Sequence, residues 1–133
     1  MNVFNILISG VGGQGVLLTS KIIAEAALLA GLDVKQSEVH GMAQRGGSVL
    51  SQVRFGDKVF SPIVNEGEAD LLIGFEPLET ARHLHYLRKN GMAIYNTRPI
   101  GTIGVSIGKE DYPADIHDII KNNAPKVFAF DAT

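Results

Sequence analysis

The chain has 133 residues, 45% hydrophobic and 20% charged, with twelve basic against fourteen acidic side chains and a formal net charge of -2. That is one ordinary domain, and the balance excludes a generally basic nucleic-acid binder while leaving room for a local phosphate site. There is no cysteine, which removes disulfides, cysteine-ligated zinc, iron–sulfur clusters and thiol catalysis from this polypeptide.

In chain order, Val3 to Ser9 is nearly continuously apolar and bounded by glycine, the pattern of a buried parallel strand. Met1 to Ser9 has neither a basic leader nor a long apolar core, and the glycine cluster follows at once, so no targeting signal is read there. Val16 to Leu29 carries apolar residues at helical spacing, with Gly31 as its stop. Its polar interruptions make it too short and too polar to span a bilayer. Asp33 to Val39 is a second strand. Ser48 to Phe55 is a third, with Gly56-Asp57 as a turn and Lys58 to Ser61 as the return arm of a hairpin.

Asp70 to Phe75 is another buried strand. Pro77 to Arg88 is a helix with proline in its first turn, Gly91 ends that unit, and Met92 to Tyr95 is a short strand. Ile103 to Ile107 alternates like a strand, Ile116, Ile119 and Ile120 sit at helical spacing, and Val127 to Phe130 is a last strand. Strands alternate with helices around an inserted β-hairpin, which makes residues 1–133 a single α/β domain with a mostly parallel sheet. The end at Asp131-Ala132-Thr133 resembles the opening of a further helix, so the natural protein is expected to continue.

Fifteen glycines are more than the roughly 7% of average proteins, and they cluster. Gly10-Val11-Gly12-Gly13-Gln14-Gly15 fits G-x-G-x-x-G between a strand and a helix, the context that gives the pattern meaning. Gly10 permits the tight turn, Gly12 lets backbone approach a ligand, and Gly15 lets the helix lie close to the strand. A dinucleotide site also needs a ribose-binding acid, for which Glu38 is the nearest candidate. Three readings stay open: a tight connection only, a phosphate-bearing ligand, and a full nicotinamide or flavin site.

The segment Glu38 to Ser48 joins the second and third strands and holds His40, Gln44 and Arg45 between glycines. Arg45 beside Gly46 and Gly47 can present a guanidinium to phosphate or carboxylate. In a parallel sheet this loop and the first glycine loop share the carboxyl edge, where ligands of open α/β sheets bind. His40 has a pKa suited to acid–base work, yet no paired carboxylate is identifiable, and a hydrogen-bonding loop histidine is the favoured reading. His83 and His85 are two apart on the expected helix, diverge, and are read as surface residues. Glu76 opens a helix at the same edge and Arg98 follows a strand there. Each is either a site residue or an ordinary surface or helix-start charge.

The runs G-V-G-G-Q-G-V-L-L at 10–18, S-E-V-H-G-M-A-Q-R-G-G-S-V at 37–49 and E-A-D-L-L-I-G-F-E-P-L-E at 68–79 resemble one family. It is the gamma-type subunit or domain of 2-oxoacid:ferredoxin oxidoreductases, and the H-G-M-A-Q-R-G-G form is most similar to the beta subunit of the indolepyruvate branch. The resemblance covers residues 3–98 strongly and the rest loosely, and the second run is the more specific. It implies a Rossmann-like three-layer fold and an accessory role in an enzyme, which the lack of cysteine and of a signal peptide leads us to expect in the cytoplasm. That enzyme oxidatively decarboxylates an aryl 2-oxoacid, joins the acyl group to coenzyme A and reduces ferredoxin. Thiamine diphosphate and iron–sulfur clusters are implied on a large partner subunit, with this chain inactive alone and binding no cofactor tightly.

Gly10, Gly12, Gly13, Gln14, Gly15 and Arg45 are the implied ligand contacts, coenzyme A being the candidate ligand. No residue is assigned catalysis or a metal, and neither nucleic acid nor membrane is an expected partner. A free-standing cofactor-binding oxidoreductase and a purely structural subunit remain the alternatives. A domain built for a permanent partner exposes apolar surface, so the isolated chain is expected to self-associate.

Overall fold

The structure, a computed structural model, describes residues 3–12, 14–40, 47–98 and 115–131. Its elements are β1 (Phe4–Val11), α1 (Gln14–Leu29), β2 (Asp33–His40), β3 (Ser48–Gly56), β4 (Ala69–Gly74), α2 (Pro77–Arg82), a 3-10 turn (Leu84–Tyr86), β5 (Leu87–Asn96), α3 (Ile116–Asn123) and β6 (Lys126–Phe130). Among the described residues, six strands form one sheet in the order β2-β3-β1-β4-β5-β6. β4 pairs parallel with β1, β5 with β4 and β6 with β5, while β3 runs antiparallel to both β1 and β2. Among the described strands only β3 points the other way, so the sheet is mostly parallel.

Three layers follow from the alternation of side chains along the strands. On one face Ile6, Ile8, Val49 and Val53 pack with Val16 and Ala24 of α1. On the other, Leu7, Leu50, Leu72, Ala93 and Tyr95 pack with Leu84 and with Ile116 and Ile120 of α3. The buried side of α1 reads Val16, Ser20, Ala24, Ala27, a stripe at helical spacing. Ser51 Oγ donates to Ser20 Oγ at 2.7 Å inside that interface, fixing the helix on β3. Gly31 ends α1 with φ +83°, and the Leu32 amide reaches back to the Ala27 carbonyl at 3.1 Å, the closing geometry that glycine makes easy.

The hairpin is real but has other partners than the sequence suggested. β2 and β3 form it, pairing Asp33 with Gly56 at one end and His40 with Val49 at the other. Lys58 to Ser61 is not a strand. Both edges of β3 are already taken by β2 and β1, so a return arm has nowhere to pair. Side chains hold the 57–68 connection instead. Asp33 Oδ2 accepts from the Val59 amide at 2.8 Å, Arg54 Nη1 donates to the Ser61 carbonyl at 2.8 Å, and Gln52 Oε1 accepts from the Val64 amide at 2.7 Å.

The helix expected over 77–88 is shorter. α2 stops at Arg82, and β5 begins at Leu87, paired with Ala69. Gly91 lies inside β5 beside a register shift rather than ending a unit, and a Cβ there would sit 2.9 Å from the Ala69 carbonyl oxygen. α3 and β6 fall where the isoleucine spacing and the apolar run placed them. The strand expected over 103–107 lies outside the described residues.

Candidate functional site at the carboxyl edge of the sheet

Because β1, β2, β4, β5 and β6 point the same way, their carboxyl ends share one edge, which hydrogen bonds stitch together. The Gly12 amide donates to the Gly47 carbonyl at 3.1 Å, tying the glycine loop to the β2–β3 hairpin. The Phe75 amide donates to the Ser9 carbonyl at 2.9 Å, Asn96 Nδ2 donates to the Phe75 carbonyl at 3.3 Å, and the Thr97 amide donates to the Phe130 carbonyl at 2.8 Å.

The expected loop residues separate into different roles. Gly10 and Gly15 are packing glycines. A Cβ on Gly10 would meet Val16 Cγ2 at 2.8 Å, and one on Gly15 would meet Phe75 Cε2 at 2.4 Å. Gly12 has φ +88° with nothing within 4 Å of its Cβ position, so conformation rather than crowding calls for glycine there. Its amide is engaged by Gly47. The donors left facing the edge are those opening α1, which starts at Gln14 and has no acidic residue in its first turn. Gly13, Gly41 to Gly46 and Arg45 among them lie outside the described residues, and His40 closes β2 opposite Val49.

Glu38 lies inside β2, opposite Ser51 and two residues short of the strand end. Glu76 is the cap of α2: its Oε1 accepts from the Glu79 amide at 2.7 Å with Pro77 in the first turn, and it is 1% exposed. Arg98 is exposed, 4.0 Å from Asp131 at the end of β6. His85 is exposed and 3.5 Å from Glu66, but His83 is half-buried, with Nδ1 donating to the Glu79 carbonyl at 2.8 Å. Burial holds the His83 imidazole below its ordinary pKa, only partly offset by that carbonyl and by the Glu79 charge.

Two features escaped the sequence reading. Phe75 is the backing plate of the glycine loop; its place directly after β4, at the edge that carries Gly10, was the available signal. Glu79 is fully buried, its carboxylate 3.4 Å from Arg82 Nε with no hydrogen-bond partner among the described residues, and Ser9 Oγ is buried and unbonded among them as well. No group of three His, Asp, Glu or Cys gathers among the described residues. Among them, no helix is long and apolar enough to cross a membrane.

Residues 5–133 match the family described as pyruvate ferredoxin/flavodoxin oxidoreductase. The chain is 47% identical over 135 residues to "Indolepyruvate oxidoreductase subunit IorB" of Pyrococcus horikoshii, covering 99% of this chain and 67% of that protein. It is 48% identical over 132 residues to the protein of the same name from Archaeoglobus fulgidus, covering 97% and 65%. The chain thus spans about two thirds of the length of these relatives. Its fold matches the crystal structure of pyruvate oxidoreductase subunit PORC from Thermotoga maritima with a TM-score of 0.69 at 23% identity, over 100% of this chain and 64% of the other. A mostly parallel six-stranded sheet, a glycine loop joined to a hairpin at its carboxyl edge, and these similarities agree: the chain belongs to the pyruvate ferredoxin/flavodoxin oxidoreductase family, among its gamma-type accessory subunits.

Proposed function

We propose that this chain is the accessory subunit of a cytoplasmic complex acting on an aryl 2-oxoacid such as indolepyruvate. The complex decarboxylates the acid oxidatively, joins the acyl group to coenzyme A and passes the electrons to ferredoxin. Thiamine diphosphate and iron–sulfur clusters belong to a larger companion subunit, where they supply carbanion stabilisation and one-electron transfer. This chain's donor set does not fit a cluster, because it has no cysteine, and no oxidation step is routed through it.

What its residues contribute is binding. The amides that open α1, Gln14 and Gly15 foremost, lie at this edge, and the first turn of the helix holds no acidic residue. The sequence places Arg45 in the connection between β2 and β3. Together they form a cradle for a phosphate of coenzyme A. The observation carrying this reading is the hydrogen bond from the Gly12 amide to the Gly47 carbonyl, which ties the glycine loop to the chain two residues after Arg45 in the sequence. Glu38, within a strand rather than at its end, gives the nicotinamide reading no support.

The test is affinity purification under oxygen-free conditions followed by assay. A large cluster-bearing protein should copurify, and the complex should reduce ferredoxin with indolepyruvate and coenzyme A. Turnover of a 2-oxoacid by this chain alone would overturn the assignment. In the assembled enzyme, Arg45→Ala should raise KM for coenzyme A with assembly intact; lost assembly would favour a purely structural loop.

A further inference from the structure

Strands β1 and β4 lie side by side and run parallel, with Ser9 beside Gly74 at their carboxyl ends. The helices that follow them leave to opposite faces. α1 packs with Ile6 and Ile8, whereas α2 sends Leu78 and Ala81 against the cluster of Leu7 and Leu72. A crevice opens where neighbouring strands diverge in this way, and ligands of open α/β sheets bind at such a point. Phe75, the first residue after β4, stands there.

Phe75 is held from three directions. Its amide donates to the Ser9 carbonyl at 2.9 Å, and its carbonyl accepts from Asn96 Nδ2 at 3.3 Å. Its ring turns back to the α1 face, against the cluster of Ile6, Ile8 and Val16, while the chain runs on into Glu76, the cap of α2. The ring supports the first turn of α1: a Cβ on Gly15 would lie 2.4 Å from Cε2 and 3.6 Å from Cζ, and one on Gly10 would lie 3.2 Å from the Phe75 Cβ. Hydrogen bonds weaken steeply when misaligned, and the field of a helix start fades within one turn. The height of that turn over the edge therefore decides how well its amides meet an anion. We propose that Phe75 is a positioning residue of the phosphate cradle, acting through Gly15 rather than touching the ligand. Its ring and its two backbone bonds fix the α1 amides against β1 and β5 and so set the affinity for coenzyme A. The inference rests on the cradle reading and deepens it by naming the residue that sets its geometry.

The experiment measures KM for coenzyme A and kcat in the copurified complex, for Phe75→Leu, Gly15→Ala and the double variant. Phe75→Leu withdraws the outer ring atoms and should raise KM about fivefold with kcat unchanged, because the turn loses its support. Gly15→Ala lifts the turn off the ring and should raise KM by a similar factor. The double variant refills the space from the helix side and should return KM to within about twofold of wild type. A residue that only packs would lower stability and leave KM unmoved. An unchanged KM in Phe75→Leu, or single effects that simply multiply in the double variant, would overturn the inference. If Phe75→Leu alone fails to assemble, the fall in KM from Gly15→Ala to the double variant decides, and no fall overturns it. Arg45→Ala tests the reading underneath. A KM that responds to Arg45→Ala but not to Phe75→Leu removes the positioning role alone, and a KM that responds to neither removes the cradle with it.

Discussion

Gly15 lies against the ring of Phe75, in the space its own side chain would need: a Cβ would fall 2.4 Å from Cε2 and 3.0 Å from Cδ2. The first turn of α1 therefore rests on the residue that follows β4. Gly15→Ala gains helix propensity of up to about 1 kcal/mol but forces the aromatic ring or the helix to move, an overpacking cost of about 1–3 kcal/mol. The expected net is destabilisation by about 1–2 kcal/mol in urea unfolding. Adding Phe75→Leu should recover at least half of it, because the leucine withdraws the edge that clashes. A double variant no better than the single one would refute the packing account.

Gly12 differs in kind. Nothing stands within 4 Å of its Cβ position, but φ is +88°. Gly12→Ala should cost about 1–2 kcal/mol of stability from backbone strain alone, with no rescue by Phe75→Leu. In the assembled enzyme it should also raise KM for coenzyme A, because relaxing φ shifts the amide that holds Gly47. An unchanged KM with the expected stability loss would separate the loop from ligand binding.

These two glycines show what local sequence can and cannot reveal. The strand–glycine–helix succession of β1 and α1 is encoded within a few residues, so the elements and the loop between them were legible. The apolar positions of β3 and β4 were legible for the same reason. Pairing was not: which partner β3 takes depends on which sheet edges are free, and that is settled by β1 from a distant part of the chain. The start of β5 was hidden because Arg88, Lys89 and Asn90 are exposed where the strand meets the irregular end of β4, so it lacks a strand's apolar signature. Phe75 and Glu79 became visible as site neighbours only once β4 lay beside β1.

Glu79 is 0% exposed and Arg82 about half exposed, with 3.4 Å between Oε2 and Nε. Removing the cation leaves a buried carboxylate with no hydrogen bond. Arg82→Met should therefore destabilise by about 1–3 kcal/mol, discounted from a fully buried pair because the arginine meets water. In a Glu79→Gln background the same substitution should cost under about 0.5 kcal/mol. Equal costs in the two backgrounds, measured by urea unfolding, would show that the pair contributes nothing.

His83 supplies a pH dependence with a definite sign. Burial lowers its pKa from the ordinary value of 6.5. The neutral ring donates from Nδ1 to the Glu79 carbonyl at 2.8 Å. Between the depressed folded value and 6.5 the unfolded chain binds more protons than the folded one, so stability rises with pH across that window. The contribution is complete above 6.5 and is lost as the pH falls toward the folded value. Asp33, whose pKa is lowered by the Val59 amide and then by Lys35, acts only below its ordinary 3.8 and leaves this window untouched. Urea midpoints measured from pH 7.5 down to about pH 5 should fall for the wild-type chain. His83→Gln, which keeps a side-chain donor for the Glu79 carbonyl but cannot titrate, should flatten that slope while retaining most of the stability at pH 7.5. A wild-type slope that survives the substitution would assign the titration to another group.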